Sequence, residues 1–554
     1  MADLNFFQQN IATLSPQLSL RLPVLANREY HEHSSNNSMS VILTGNDLSF
    51  EQLRAVALQH ESVSLHPSAI ERMNTSRAVV DKLVASGATA YGINTGFGKL
   101  ASVRISTEQV AQLQVNLVRS HACGVGEPLS ESETRAMMLL RANALAKGLS
   151  GIRPHVVGTL CKMLNAKVHP IIPSQGSVGA SGDLAPLAHL AQVVIGEGRA
   201  NYDGKILEGA AALQRADITP VALEAKEGLS LLNGTQGMLA LLSLALLEAD
   251  ALVDAADIAA ALSLDALRGS PGAFDPRIMQ ARAYPGAAIT AKNLARLNEG
   301  SQIRESHRSN TKDPRVQDAY SLRCTPQVHG AVRDSLAQAR AIAEVELNSA
   351  TDNPLVFAPS LGTGTDAASA NGDIVSGGNF HGQPLAMAAD QVAIALATLG
   401  GISERRIEQM TNPLTSMLPA FLTPEPGLNS GFMIAQVTAA ALTSENKALA
   451  TPHSIDSIST SGNQEDYVSM GMSGARRLSP MLINLRHTIA IELLCACQGI
   501  DLLAPLQTGT RAQKAYNAIR RKSPKLTNDR PLAPDIEAVT ALISADSFSK
   551  ILSS

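Results

Sequence analysis

The run from Met238 to Leu267, MLALLSLALLEADALVDAADIAAALSLDAL, decides the fold class. It is the richest apolar stretch of the chain, yet Glu248, Asp250, Asp254, Asp257 and Asp265 interrupt it. Five acids in one apolar helix argue for a buried helix of a soluble protein and against a membrane span. Similar Ala/Leu/Ile-rich patterns recur at 328–349, 384–410, 432–450 and 480–503. Ser130 with Glu133 forms a capping box, an Ala/Leu/Met-rich run follows to Lys147, and Gly148 closes it. Strand signals are few and short, such as Leu355-Val-Phe357. Aromatic residues make up 3% and Trp is absent, which fits helices packed through small contact residues. These features predict a mainly α protein with a long central helical bundle and a smaller, loop-rich N-terminal region. Residues 1–42 read as a polar, disordered extension, 43–235 as the N-terminal region, 236–510 as the bundle and 511–554 as a C-terminal helical segment.

A formal charge of −4 over 554 residues gives no sign of nucleic-acid or membrane binding. The Arg-Arg pairs at 405–406 and 476–477 read as solvated helix faces. Five cysteines (123, 161, 324, 495 and 497) make no disulfide framework and suit a reducing compartment. Cys495 and Cys497 sit in an apolar helical pattern and read as core. No metal motif appears. The first residues lack the basic start and apolar run of a signal peptide, so the expected location is the cytoplasm.

Between the helices lie polar, Gly-punctuated strings, where function concentrates in such a protein. The richest is Gly176-Ser-Val-Gly-Ala-Ser-Gly-Asp-Leu-Ala-Pro-Leu-Ala-His189. Glycine allows a tight loop, Asp183 reads as an N-cap and Pro186 fits an early helical turn. A Gly-rich loop feeding a helix N-terminus favours negative charge. No Gly-Lys-Ser/Thr follows, and glycines at 176, 179 and 182 have the wrong spacing for a dinucleotide fingerprint. A nucleophile elbow needs Gly-x-Ser-x-Gly, whereas Ser181 stands between Ala180 and Gly182. Local physics alone favours a structural turn.

The other strings are weak one by one. Tyr91-Gly-Ile-Asn-Thr-Gly-Phe-Gly-Lys99 reads as a flexible loop around one phenol, and His121 in Asn116-Leu-Val-Arg-Ser-His121 as a structural histidine. Asn233 before the longest helix reads as a cap. Gln317, Tyr320 and Arg323 are spaced i, i+3 and i+6 and share roughly one face if helical. Phe380 in Ser376-Gly-Gly-Asn-Phe380-His381 reads as packed, Met433 as core, and Glu465 in Ser461-Gly-Asn-Gln464-Glu465-Asp466-Tyr467 as a solvated acid.

Taken in order, from about Leu43 to near residue 510, these strings resemble the aromatic amino acid ammonia-lyases, and in particular their histidine-specific branch. The resemblance implies the ammonia-lyase/fumarase-like helical fold. It implies that Ala180, Ser181 and Gly182 cyclise and lose water to form 4-methylideneimidazole-5-one (MIO), with no external cofactor. Gly182 then has a chemical reason beyond the turn, since its unhindered amide nitrogen must attack a carbonyl. By the same resemblance Tyr91 is the base that removes the substrate's β-proton; a phenol near pKa 10 needs a positive field or hydrogen bond to do so. Asn233, Gln317 and Tyr320 adjoin the prosthetic group. Arg323 grips the substrate carboxylate, a task suited to the planar arginine fork. His121, Phe380 and Met433 line the pocket. Glu465 points to histidine as substrate, because a carboxylate pairs with imidazole nitrogen and offers a phenyl ring nothing. Two positions depart from the histidine branch: Tyr467 replaces a common His, and Ser459 a Pro.

The implied activity is elimination of ammonia from L-histidine to give trans-urocanate, the first step of histidine degradation, by a carbon–nitrogen lyase. A tyrosine ammonia-lyase or a 2,3-aminomutase would share the same strings. The family assembles each site from several subunits of a homotetramer, so the expected partners are a small amino acid and further copies of the chain, with no nucleic acid or membrane.

Overall fold

The computed structural model describes residues 40–553 apart from 89, 91, 94, 96–104, 107–108, 310–314, 359–371 and 546. Its long helices are α1 (Glu131–Ala146), α2 (Gln236–Ala266), α3 (Thr325–Leu347), α4 (Gln383–Thr411), α5 (Met433–Leu449) and α6 (Leu478–Leu502). They coincide with the apolar runs to within a few residues. The capping box before α1 is present: Ser130 N donates to Glu133 Oε2 at 2.7 Å, and Glu133 N donates to Ser130 Oγ at 3.3 Å. Gly148, at φ 81°, closes it by donating to Leu145 O. Strands are short; Leu355–Phe357 forms one as the sequence predicts, and it pairs antiparallel with Asp373–Val375.

Helices α2, α4 and α6 form the buried centre, and α3 and α5 pack beside them. The low aromatic content has a structural counterpart. Helix Pro285–Leu297 meets α3 through Gly286 and Gly330, where a Cβ at either position would overlap the other helix's backbone. Cys495 and Cys497 are core residues. The segments Gln383–Thr411 and Gly471–Leu502 are long and apolar enough to cross a membrane, and both lie largely buried within the bundle.

The acids of α2 are paired rather than solvated. Asp257 accepts from Arg333 Nη2 at 2.6 Å and lies 2.8 Å from His329 Nδ1. Asp265 accepts from Ser301 Oγ at 2.9 Å and Thr508 Oγ1 at 2.5 Å, and Asp250 accepts from Arg340. The Arg-Arg pairs correct the sequence reading. Neighbours on a helix point about 100° apart, so one member of each pair faces inward. Arg406 is fully buried and grips both oxygens of Glu492, at 2.5 and 2.9 Å, while Ser263 and Ser403 donate to the same carboxylate. Arg477 is buried against Asp390.

Breaking such a pair from one side strands a charge in the core. Arg406→Ala should therefore destabilise the fold by about 3–5 kcal/mol, and Arg406→Met combined with Glu492→Leu by much less. Denaturant unfolding of the two variants checks this; equal losses would contradict it.

Candidate active site

The Gly176–Asp183 loop is anchored on both sides. Strand Pro173–Gln175, which delivers it, pairs antiparallel with Val125–Pro128, just beyond helix Val110–His121. His189, in the helix that leaves the loop (Leu184–Val194), accepts the Gly124 amide at 3.1 Å. These ties hold the His121 end of its helix near the loop.

Within the loop Gly182 takes φ 71°, and a Cβ there would overlap the Gly234 carbonyl. The two glycines form a parallel bridge, with Asp183 N donating to Gly234 O at 2.7 Å. Asp183 does not cap its own helix with its side chain as the sequence suggests. Its carboxylate turns to the start of α2, accepting Met238 N at 2.8 Å and the Gly237 amide, and takes Ser177 Oγ at 2.9 Å. Burial pushes this carboxyl up to about 6 despite those donors.

Two further helix starts meet the loop. Gly382 N, before α4, and Ser469 Oγ both donate to Gly179 O, at 3.3 and 3.0 Å. Met470 N, before the short Gly471–Arg476 helix that leads into α6, donates to Val178 O at 2.8 Å. Ala180 packs with Val178, Val468 and Met470. Amino ends of helices carry partial positive charge, so the loop sits in a field that favours negative charge.

Besides Ala180 and Gly182, five of the sequence-predicted residues stand here. Ser181 Oγ donates to Glu465 Oε1 at 3.2 Å, and Thr460 Oγ1 donates to Glu465 Oε2 at 2.8 Å. Asn233 does not cap α2; its Nδ2 donates to Ser181 O at 3.0 Å, and its buried Oδ1 has no hydrogen-bond partner among the described residues. Burial lowers the His121 ring pKa, opposed by its bond to Leu117 O and by the Glu465 carboxylate, which places His121 within electrostatic reach of Glu465. Phe380, half-buried, stands two residues before Gly382. Next to it His381 stacks on Tyr467, with centroids 6.2 Å apart.

Gln317, Tyr320, Arg323 and Met433 are elsewhere. The helix begins only at Tyr320, so Gln317 precedes it and the three do not share a helical face. Ser321 O accepts from Arg406, near the carboxyl end of α4, and Arg315 donates to Leu267 O, just past the end of α2. Gln436, one turn after Met433, donates to Glu404. From Gly382 to Arg406 the helix rises about 36 Å. These residues thus lie at the far end of the bundle from Ser181. There Tyr320 is 74% exposed, with the Arg323 guanidinium 5.9 Å from its ring centroid. Tyr91 lies outside the described residues.

Two supporting residues escape the sequence reading. Thr460 carries no motif signal. Arg141 does carry one, as a charge inside the Met/Leu-rich α1. It is fully buried and donates from Nη1 to Asn233 O at 2.8 Å and Gln236 Oε1 at 2.7 Å, and from Nη2 to Ser230 O. Burial lowers its pKa to about 10, opposed by Asp352, itself 2.7 Å from Lys226 Nζ.

Known proteins are similar to this chain over most of its length. A relative from Koribacter versatilis (strain Ellin345), named histidine ammonia-lyase, is 56% identical over 90% of this chain and 97% of its own length. The crystal structure of histidine ammonia-lyase from Trypanosoma cruzi superposes with a TM-score of 0.84 at 43% identity, covering 93% of this chain and 95% of that one. Tyrosine aminomutase from Streptomyces globisporus superposes with a TM-score of 0.87 at 38% identity, covering 93% and 98%. With residues 48–521 matching the profile for "Aromatic amino acid lyase" and a Gly-rich loop seated on helix amino ends, the chain belongs to the aromatic amino acid lyase family.

Proposed function

We propose that this lyase eliminates ammonia from L-histidine to give trans-urocanate. The observation that carries the reading is the Glu465 carboxylate 3.2 Å from Ser181 Oγ, with His121 in its field. Opposite a reactive tripeptide, a carboxylate and an imidazole suit a substrate ring that bears N–H groups. Relatives 50–56% identical to this chain are named histidine ammonia-lyase, which supports the same reading.

Ala180, Ser181 and Gly182 are the precursor of MIO in this reading, and their surroundings fit the group. Gly182 has no room for a Cβ, the Ser181 carbonyl already accepts from Asn233, and the helix amino ends favour charge there. Once formed, the group supplies an electron-poor carbon that draws electrons as the amine leaves. The chain's own residues do the rest. Asn233 Nδ2, steadied by Arg141 on its backbone carbonyl, donates to the Ser181 oxygen. Glu465 and His121 hold the imidazole. Phe380 and Met433 line the pocket and exclude water, and Tyr91 takes the β-proton. Arg323 fixes the carboxylate, while Gln317 and Tyr320 complete the wall. A bundle length separates Arg323, Tyr320, Gln317 and Met433 from Ser181, so each site takes them from another copy, in a homotetramer. The five unpaired cysteines suit the cytoplasm.

Absorbance assays with histidine, tyrosine and phenylalanine test the substrate. Turnover of histidine to the unsaturated acid is expected; turnover of tyrosine without histidine would overturn the reading. The likeness to a tyrosine aminomutase supports one rival outcome, a β-amino acid product, which product analysis detects. Ser181→Ala should abolish turnover while leaving the fold intact.

Shared sites make a second prediction. Ser181→Ala and Arg323→Ala chains, each inactive alone, should recover roughly a quarter of wild-type activity when unfolded and refolded together, because random mixing rebuilds that share of sites. No recovery would place both residues in one chain's site.

A further inference from the structure

The bond between Ser181 and Glu465 joins residues 284 positions apart. The two oxygens of Glu465 are not equivalent. Oε2 is taken by Thr460 Oγ1 at 2.8 Å, and Oε1 faces the Ser181 hydroxyl at 3.2 Å. The backbone enforces this orientation. Thr460 N donates to Glu465 O at 2.9 Å, Glu465 N donates to Thr460 O at 3.3 Å, and the turn between them carries positive φ at Ser461, Gly462 and Asn463. Thr460 and Glu465 are thereby clamped to each other, and one carboxylate oxygen is left aimed at one hydroxyl.

We propose that Glu465, oriented by Thr460, is the acid–base group that removes water from Ser181 during maturation. The inference rests on the reading of Ala180-Ser181-Gly182 as the MIO precursor. Maturation needs two dehydrations. In the first, the Gly182 nitrogen bonds to the Ala180 carbonyl carbon, the Ala180 oxygen leaves as water with the Gly182 and Ser181 amide protons, and a C=N bond forms between that carbon and the Ser181 nitrogen. In the second, Ser181 loses its Cα proton and its Oγ. The Glu465 carboxylate takes the Cα proton, and the electron pair of that C–H bond becomes the new π bond to Cβ. The Cβ–Oγ bond breaks with its electrons on oxygen, Glu465 returns the same proton to Oγ, and water departs. The carboxylate is regenerated, and no oxidant or second reactant is needed. One carboxylate reaches both atoms because Oγ and Cα of a serine are separated by a single carbon. Loss of the hydroxyl then frees Oε1, so the oxygen that served maturation opens towards the substrate.

The test follows the mass of the 176–189 peptide over time after cell-free synthesis of the full chain, with folding checked by circular dichroism. The wild-type peptide should become two waters lighter. Glu465→Gln keeps the shape and loses the base, so it should stop at one water lost, or lose the second about 100-fold more slowly. Thr460→Val, which only frees the carboxylate to turn, should reach the two-water loss roughly tenfold more slowly. Asp466→Asn removes an exposed neighbouring carboxylate and should mature like the wild type.

A Glu465→Gln chain that loses both waters at the wild-type rate overturns the proposal, as does one that loses none, or an Asp466→Asn chain with the same delay. Should Glu465→Gln fail to fold, Thr460→Val decides by itself, and wild-type maturation in it counts against the proposal. A fully matured Glu465→Gln chain that is inactive on histidine would sink this inference and leave the proposed substrate standing. A wild-type chain that loses no water would sink the precursor reading and this inference with it.

Discussion

The site depends on the Asp183 carboxylate turned onto the amino end of α2. Its acceptance of the Gly237 and Met238 amides fixes the Gly-rich loop to the longest buried helix, and the Gly182–Gly234 bridge sets how closely the two backbones approach. Burial of that carboxyl raises its pKa to about 6, so the contact is held against an electrostatic penalty by the amide and Ser177 donors. Once the loop is seated, the starts of α4 and of the helical run leading to α6 bond to Gly179 and Val178 from other directions. Residues from four distant parts of the chain meet because helix amino ends leave amide groups that need acceptors.

The bundle then acts as a spacer. Ser181, Asn233, Glu465 and His121 collect at one end, and Tyr320, Arg323 and Met433 at the other, about a helix length away. The buried Arg406–Glu492 pair sits at this second end and bonds to Ser321 between Tyr320 and Arg323. A rigid, small-residue core suits such an arrangement, since any bend of α2 or α4 would change the distance between the two ends. The proposal of sites shared between copies follows from that separation.

Much of this was legible in the residues. The long helices, the α1 capping box and the 355–357 strand follow from periodicity and local capping. Asn233, which the family resemblance sets beside the tripeptide, and Glu465, which it assigns to the substrate ring, both bond to Ser181. Other readings needed the third dimension. Arg406 and Arg477 look solvated because a charge beside a charge resembles a surface, yet helical geometry turns one of each pair inward. Asp183 looks like a cap for its own helix and caps another. Thr460 carries no motif, and Arg141 shows only as a charge inside an apolar helix; their importance lies in which carbonyl and which carboxylate oxygen they hold.

The sequence alone determined the helical architecture, because it is encoded in short-range patterns of apolar spacing and capping residues, whereas the local pattern around Ala180-Ser181-Gly182 reads only as a turn. Only the tertiary structure decided which carboxylate faces Ser181, which helix Asp183 serves, and that the arginine proposed to clamp the carboxylate stands a bundle length away. Those facts depend on contacts between residues hundreds of positions apart, set by the packing and direction of the helices, which no local pattern records.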